Sequence, residues 1–250
     1  MGRRQKQVSG KKKTNNSDIS FSVDPFDIIY GKKIIIENSK LVIEQGQHYA
    51  LIGKNGIGKT SILSAIANKD RIPPDLDIIY VQQEEPESDN TALEVLMLSD
   101  KMLCDKQKRL DELELCLSID ENAGILLEEY TSLGEEIGTE YDKRVSEAKR
   151  ILVGLGFSSV DHNKPIRQFS GGWRMRLSIA KSLFMTPNLL MLDEPTNHLD
   201  FAAVFWLKSY LKKYPKTLIV VSHDRYFIDE VCTCIMTIKD KQLRYYGGNY

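Results

Sequence analysis

Short apolar runs alternate with helical patterns along most of the chain. Apolar runs typical of buried strands occur at 19–23, 33–36, 41–43, 47–52, 77–82, 189–192 and 217–221. Apolar positions spaced as on one face of a helix occur at 59–67, 174–185 and 201–213. Strands that alternate with helices predict an α/β fold with a mainly parallel sheet, whose ligand site lies at the carboxyl ends of the strands.

The pattern between residues 91 and 154 is different, because it is helical throughout. Leucines recur every seven residues in its first part, at Leu96, Leu103, Leu110 and Leu117. Apolar residues then recur at steps of three and four, at Tyr130, Leu133, Ile137, Tyr141 and Val145. Since charged residues separate the apolar positions, the segment predicts two amphipathic helices packed as a hairpin rather than a longer coiled coil. Candidate helix breaks are Gly124, Gly134 and Gly138.

The composition is that of an ordinary globular protein. The 250 residues are 42% hydrophobic, which suffices for one large domain or two small ones. No segment is long and apolar enough for a membrane span or a secretory signal, so we expect a cytoplasmic protein without membrane insertion. The cysteines have no zinc-ligand spacing and predict no disulfide framework, so we expect free, mostly buried thiols at Cys104, Cys116, Cys232 and Cys234.

The first 17 residues are polar and basic. They contain no acidic residue and almost nothing apolar, and their basic residues are Arg3, Arg4, Lys6, Lys11, Lys12 and Lys13. This composition predicts a disordered tail. The formal net charge of −1 argues against nucleic-acid binding by the whole surface. The tail alone has the charge to contact RNA phosphates, and a solubilising or targeting role is the open alternative.

A glycine-rich segment between a predicted strand and a predicted helix fits the phosphate-loop pattern G-x-x-x-x-G-K-[ST]. Such a loop turns backbone N–H groups towards phosphates at a helix N-terminus. Lys59 then neutralises phosphate charge, and the hydroxyl of Thr60 binds Mg²⁺. The predicted nucleotide contacts are Gly53, Lys54, Asn55, Gly56, Ile57, Gly58, Lys59, Thr60 and Ser61.

A second element suited to phosphoryl transfer is a hydrophobic strand that ends in two acids, Asp193 and Glu194. We expect Asp193 to hold the Mg²⁺ shell opposite Thr60. Glu194 lies one residue further along, where it is placed to orient and polarise the attacking water. Loss of Glu194 should therefore abolish turnover and leave ATP binding largely intact.

The segment 169–173, Phe-Ser-Gly-Gly-Trp, resembles the signature motif of ATP-binding cassette proteins and lies just upstream of the strand that carries Asp193. The resemblance covers nearly all of the chain after the tail. It implies the cassette fold, with a mainly parallel core sheet, an N-terminal antiparallel β subdomain and a helical subdomain. In that family the signature of one cassette caps the γ-phosphate held by the other, which here implies Ser170, Gly171 and Gly172.

Further matches follow in the order of the family. Gln83 resembles the Q-loop glutamine near Mg²⁺, with Gln82 as the alternative, and His223 resembles the switch histidine that touches the γ-phosphate. Residues 197–200 resemble the D-loop, and Tyr30 resembles the aromatic that stacks on adenine, although core packing explains Tyr30 equally well. With ATP and Mg²⁺ as ligands, the implied catalytic residues are Glu194, His223 and Gln83, and the implied metal ligands are Thr60, Gln83 and Asp193.

Two motifs narrow the resemblance to the ABC-F subfamily of soluble, translation-associated proteins. They are SGGWRMR at 170–176 and LDEPTNHLD at 192–200. In that subfamily a helical arm that contacts the ribosome and tRNA is inserted where this chain has residues 91–154. The implied organisation is a tail at 1–17 and a cassette at 18–250, with the helical arm and its subdomain at about 91–156.

ABC-F proteins carry two cassettes in one chain, and this sequence matches the first of them. Each composite site needs a phosphate loop and an opposing signature, so we expect head-to-tail pairing with a second cassette, in cis or in trans. A monomer should bind ATP and hydrolyse it weakly. The implied activity is hydrolysis of ATP to ADP and phosphate. The implied partner is the ribosome, which the protein would contact through rRNA or tRNA.

Two other classes share these motifs. The chain could be the nucleotide-binding motor subunit of a membrane transporter, although Trp173 and the Asn197-His198 pair favour ABC-F. Chromosome and repair ATPases also share the signature, but their inserted coiled coil is far longer than residues 91–154.

Overall fold

The computed structural model describes residues 21–30, 33–68, 76–119 and 124–248, so the basic tail predicted over residues 1–17 lies outside the described part. The strands of the described part, β1 to β8, are Phe21–Tyr30, Lys33–Ile43, His48–Ile52, Ile78–Val81, Leu189–Asp193, Thr217–Val221, Cys234–Lys239 and Gln242–Gly247. Its α-helices, α1 to α7, are Lys59–Ala67, Ala92–Ser99, Lys101–Ile119, Gly124–Gly154, Gly171–Met185, Phe201–Leu211 and Arg225–Val231.

The central sheet contains six strands in the order β4-β5-β6-β3-β7-β8. Strands β4, β5, β6, β3 and β7 run parallel to one another, and β8 pairs antiparallel with β7 at one edge. Strands β1 and β2 form a separate antiparallel sheet. The predicted α/β fold with a mainly parallel core sheet is therefore confirmed, as is the N-terminal antiparallel β element.

Both faces of the central sheet are buried. Along β5, Leu190 and Leu192 enter a core formed with α2, α4, α5, α6 and α7, whereas Leu189 and Met191 enter a second core formed with α1 and β2. Successive residues of a strand point to opposite faces, so a strand covered on both sides is apolar throughout. This explains the uninterrupted apolar runs, and it leaves the strand ends as the place where polar side chains can gather.

Helices α3 and α4 pack against each other as the predicted hairpin. Leu113 and Ile137 are buried between them, and Arg109 Nη2 contacts Glu129 Oε1 at 2.9 Å. The prediction of breaks at Gly134 and Gly138 is wrong, because α4 runs through both without interruption. A glycine costs a helix only about 1 kcal/mol relative to alanine, and the packed apolar face of α4 outweighs that cost.

Three other sequence expectations need correction. The runs at 33–36 and 41–43 are parts of one strand, β2. Strands β7 and β8 and helix α7 lie in a region for which the sequence patterns predicted no elements. Of the cysteines, only Cys232 is buried, whereas Cys104 and Cys234 are partly exposed and Cys116 is exposed. Within the described residues, no helix is long and apolar enough to cross a bilayer.

Candidate functional site

The phosphate loop at 53–60 connects β3 to α1, as its mechanism requires. Gly56 and Gly58 have φ values of 75° and 114°, in the region that favours glycine. A Cβ atom at Gly58 would also collide with the side chain of Ile35 on β2. The loop can therefore take its shape only with glycine at residue 58.

The N-terminus of α1 is open to an anion. Its N-cap is Gly58, which provides no side-chain hydrogen bond, and the first turn contains no acidic residue. The first N–H groups of a helix have no partner within the helix, and the helix dipole favours negative charge there. Lys59 Nζ lies over the loop and donates to Gly53 O at 2.8 Å. The ammonium and the helix N-terminus thus place positive charge on the same loop.

A hydroxyl and a carboxylate meet beside the loop. Thr60 Oγ1 donates to Asp193 Oδ2 at 2.8 Å, and Tyr80 OH donates to the same oxygen at 3.1 Å. Burial of Tyr80, together with the negative charge of Asp193, raises the pKa of its hydroxyl, so Tyr80 remains a hydrogen-bond donor at neutral pH. Thr60 and Asp193 are 133 residues apart, and they meet because β3 and β5 are parallel strands of one sheet.

Glu194 is held against the end of β6. Its φ of 50° is unusual for a residue with a side chain, and its N–H donates to Val221 O at 2.8 Å. The backbone N–H of His223 donates to Glu194 Oε2 at 3.3 Å, and His223 Nε2 lies 3.4 Å from Glu194 Oε1. Oε1 is buried and makes no hydrogen bond with the described residues. One oxygen of Glu194 is thus held by a hydrogen bond, and the other lies beside the His223 imidazole without one.

These groups share one cleft of about 440 Å³. Of the predicted site residues, it is lined by Asn55, Gly56, Gly58, Lys59, Thr60, Ser61, Asp193, Glu194 and His223. Ile35 and Val221 complete the described lining. The structure therefore brings together the phosphate loop, the two acids and His223, which are far apart along the chain.

Gln83 is not part of this cleft. It lines a neighbouring cleft with Ser178 and Lys181 of α5, and Ser178 Oγ donates to the main-chain oxygen of Gln83 at 2.9 Å. Gln82 lines the same neighbouring cleft. The side chain of Tyr30 lies outside the described residues, so the predicted adenine contact stays a prediction.

The signature residues also lie outside the phosphate cleft. Gly171 and Gly172 begin α5, and Ser170 is its N-cap, without a side-chain capping bond. A Cβ on Gly171 would lie 2.5 Å from Glu84 Oε1, and one on Gly172 would lie 3.9 Å from His198 Nδ1. The signature and the D-loop are therefore neighbours on the surface, and neither lines the phosphate cleft.

Comparison with protein families agrees with this geometry. The family model described as "ABC transporter" matches residues 36–197, from β2 through the phosphate loop to the D-loop. The chain belongs to the ATP-binding cassette family.

Curated relatives of this cassette are members of sub-family F. ATP-binding cassette sub-family F member 3 of Rattus norvegicus is 39% identical over 249 residues, which are 98% of this chain and 34% of the relative. Sub-family F member 2 of Bos taurus is 42% identical over 217 residues, which are 86% of this chain and 34% of that relative. The cassette is of the ABC-F type, and it spans about a third of the length of these relatives.

Solved structures share the cassette fold. The ATP-binding subunit of an ABC transporter has a TM-score of 0.62 at 16% identity, covering 90% of this chain and 89% of that chain. A dimeric, post-hydrolysis cassette bound to ADP and phosphate has a TM-score of 0.59 at 23% identity, covering 90% and 97%. An archaeal ribosome recycling factor, solved with a ribosomal stalk protein, has a TM-score of 0.62 at 21% identity, covering 95% and 41%.

Three residues, Tyr80, Arg174 and Arg176, make contacts at the site or beside the signature that no sequence pattern predicted. Tyr80 fell within a run predicted only as a buried strand, yet its hydroxyl contacts Asp193. Arg174 and Arg176 belong to the motif that resembles the ABC-F signature, and they also bind the segments on either side of the signature. The uninterrupted apolar run along β4 hides the polar hydroxyl of a tyrosine, and a sequence does not show which loop an arginine reaches.

The cassette's residues fit MgATP. Thr60 Oγ1 and Asp193 Oδ2 are hard oxygen donors that already converge, and the open helix N-terminus with Lys59 suits a polyphosphate. In the described part of the chain, no group of three or more His, Cys, Asp and Glu could hold a metal ion. With Thr60 and Asp193 as protein ligands, Mg²⁺ would take further ligands from phosphate oxygens and water, as it commonly does in nucleotide sites.

Proposed function

We propose that this cassette binds MgATP at the phosphate loop and hydrolyses it as one half of a head-to-tail nucleotide sandwich. The observation that carries the proposal is the single cleft shared by Lys59, Thr60, Asp193, Glu194 and His223. Lys59 and the first N–H groups of α1 would grip the phosphates. Thr60 and Asp193 would hold Mg²⁺, which supplies charge neutralisation on the phosphate oxygens when bound.

Glu194 is the residue we assign to the attacking water. A buried carboxylate oxygen that makes no hydrogen bond is costly to keep, unless a ligand meets it in the working state. Oε1 of Glu194 is such an oxygen, with His223 Nε2 3.4 Å away, and Oε2 is anchored by the N–H of His223. Glu194 would accept a hydrogen bond from the water and orient it, and His223 would stand beside the transferred phosphate.

Pairing is part of the proposal because this chain holds its signature away from its own phosphate cleft. Ser170, Gly171 and Gly172 lie at the N-terminus of α5, beside the carboxylate of Glu84. In the proposed sandwich, the first N–H groups of α5 would meet the partner's phosphate at this position. The N-terminus of α1 belongs to the cleft described above. A partner cassette in the opposite orientation would bring its phosphate cleft to this signature.

The test of hydrolysis by pairs is the ATPase rate per chain as a function of protein concentration. We expect the rate to rise with concentration and to level off once pairs predominate. Glu194→Gln should retain MgATP binding and lower kcat by about 100-fold or more, because it removes the group that orients water. A rate per chain that is constant down to high dilution would contradict pairing, and an active Glu194→Gln variant would contradict the assigned role.

We further propose that the ATP cycle acts on the ribosome in translation or its regulation, in the cytoplasm. The support is the ABC-F type of this cassette and the helical hairpin of α3 and α4 between the Q-loop and the signature. The basic residues at 3–13 could add contacts with rRNA or tRNA, which would make binding steeply dependent on salt. An ABC-F parent with two cassettes would provide the partner in cis.

Co-sedimentation distinguishes the ribosome from a membrane partner. The Glu194→Gln chain with ATP should sediment with ribosomes, while Lys59→Ala, which is expected to bind ATP poorly, should not. Replacing the six basic tail residues by Gln should flatten the salt dependence, because fewer phosphate contacts release fewer counterions. Partition into membranes instead of ribosomes would favour the alternative, a transporter motor subunit.

A further inference from the structure

Arg176 of α5 joins segments that lie far apart in the sequence. Its Nε donates to His198 O at 2.6 Å, and its Nη1 lies 3.0 Å from Asp200 Oδ2, so it binds the D-loop twice. Nη1 also donates to Leu155 O at 3.3 Å, just beyond the end of α4. The guanidinium lies 4.5 Å from the ring centre of Trp173 in the signature motif. Only 13% of the side chain is exposed.

The turn after α4 is shaped around this guanidinium. Gly156 has a φ of 93°, which a residue with a side chain rarely adopts. A Cβ at residue 156 would lie 2.9 Å from Arg176 Nη1 and 3.5 Å from Asp200 Oδ2. The close approach to Arg176 and the positive φ thus both require glycine at residue 156.

The D-loop that Arg176 holds continues directly from the proposed catalytic residue. Asn197 N–H donates to Glu194 O at 3.2 Å, so the loop begins with a turn on Glu194 itself. At its other end, Asp200 accepts the N–H of Ala203 at 3.0 Å and caps α6. A shift of the D-loop would therefore move the backbone of Glu194.

We propose that Arg176 is a positioning residue for ATP hydrolysis, which fixes the D-loop and the signature end of α5 relative to each other. Both segments would face the partner's nucleotide in the sandwich, so this inference rests on the proposed function. Arginine suits the task because one planar group reaches two carbonyl oxygens, a carboxylate and an indole ring, which a lysine cannot do at once.

The test uses the full chain with Arg176→Lys, Arg176→Gln and Asp200→Asn. Asparagine caps a helix as well as aspartate does, so Asp200→Asn removes the charged partner and keeps the cap of α6. The control is Arg150→Gln, which removes a mostly exposed arginine of α4. Readouts are kcat, KM for ATP, Tm and hydrogen exchange of the backbone amides at 196–200.

We expect both Arg176 variants to lower kcat about tenfold, with KM within about twofold of wild type, because the phosphate cleft itself is untouched. Amides at 196–200 should exchange about tenfold faster, while Tm stays within a few degrees of wild type. The double variant Arg176→Gln/Asp200→Asn should be no slower than Arg176→Gln alone, since both changes break the same contact. Arg150→Gln should match wild type in all readouts.

Two results would overturn the inference. One is unchanged hydrogen exchange at 196–200 in both Arg176 variants, and the other is unchanged kcat of those variants beside an active wild type. A wild type that does not hydrolyse ATP at any concentration would refute the proposed function instead. In that case hydrogen exchange still decides whether Arg176 holds the D-loop.

Discussion

At the scale of single residues, the phosphate loop depends on one ammonium group. Lys59 Nζ donates to Gly53 O at 2.8 Å, so the side chain lies over the loop before any phosphate binds. Lys59→Ala should weaken MgATP binding about 10- to 100-fold, because a hydrogen bond to a charged group contributes about 1.5–3 kcal/mol. Calorimetric titration with MgATP measures the change.

The control for this substitution is Lys212→Ala. Lys212 lies just past the end of α6 and forms only an exposed ion pair with Glu230, so its loss should leave MgATP affinity as it is. If Lys59→Ala bound MgATP as tightly as the wild type, the assigned phosphate site would be wrong.

Tyr80 gives a second prediction at this scale. Its hydroxyl donates to the oxygen of Asp193 that also accepts from Thr60, so it orients a proposed Mg²⁺ ligand. Tyr80→Phe should raise the Mg²⁺ concentration for half-maximal ATPase activity about tenfold, as for other partners of metal ligands. Tyr210→Phe, which removes a hydroxyl that donates to Leu183 O at 3.5 Å, is the matched control and should not change it. Equal Mg²⁺ requirements for Tyr80→Phe and wild type would contradict the role.

The residue types expected at the site could be predicted from the sequence, whereas several contacts between residues could not. The phosphate-loop pattern and the strand-ending acid predicted that Thr60 and Asp193 face each other, and the two side chains are 2.8 Å apart. Their role in binding Mg²⁺ stays a prediction. The contacts of Tyr80 and Arg176 depend on which segments of the chain come together in three dimensions. No local pattern encodes that proximity.

At the scale of elements, helix α4 shows which glycines matter. Gly138 faces open space, whereas a Cβ at Gly154 would collide with the indole of Trp206 on α6. Gly154→Ala should lower the free energy of unfolding by about 1–3 kcal/mol, because a rigid ring cannot yield without moving α6. Urea denaturation measures this loss.

Gly138→Ala is the matched control in the same helix. It should raise the free energy of unfolding by about 0.5–1 kcal/mol, since alanine is the better helix former and has room there. Equal effects of the two substitutions would show that packing against Trp206 does not distinguish them.

The helices and strands also show where local sequence patterns predict structure and where they fail. Helix α1 begins and ends at the predicted residues, because the phosphate loop fixes its start. The predicted breaks at Gly134 and Gly138 fail because the packing of α3 on α4 decides the length of α4. Strands β7 and β8 are the last two strands at one side of the sheet. Their partial exposure mixes polar with apolar residues and hides the apolar run that is typical of a buried strand.

At the scale of the whole molecule, the proposed function assigns phosphate binding to two separate positions of the cassette. One is the cleft at α1 with the acids and His223, and the other is the signature at the start of α5. In the proposed sandwich, each complete site takes one position from each of two cassettes. Two inactive variants, damaged at different positions, should therefore restore each other's activity.

The most direct test mixes Lys59→Ala with Ser170→Asp and measures ATPase activity. Aspartate caps a helix as well as serine does, so Ser170→Asp should keep α5 folded and repel the partner's γ-phosphate. Each variant alone should be inactive, and an equal mixture should recover about a quarter of the wild-type rate, since half of the pairs are mixed and each has one intact site. A mixture as inactive as its components would contradict the composite site.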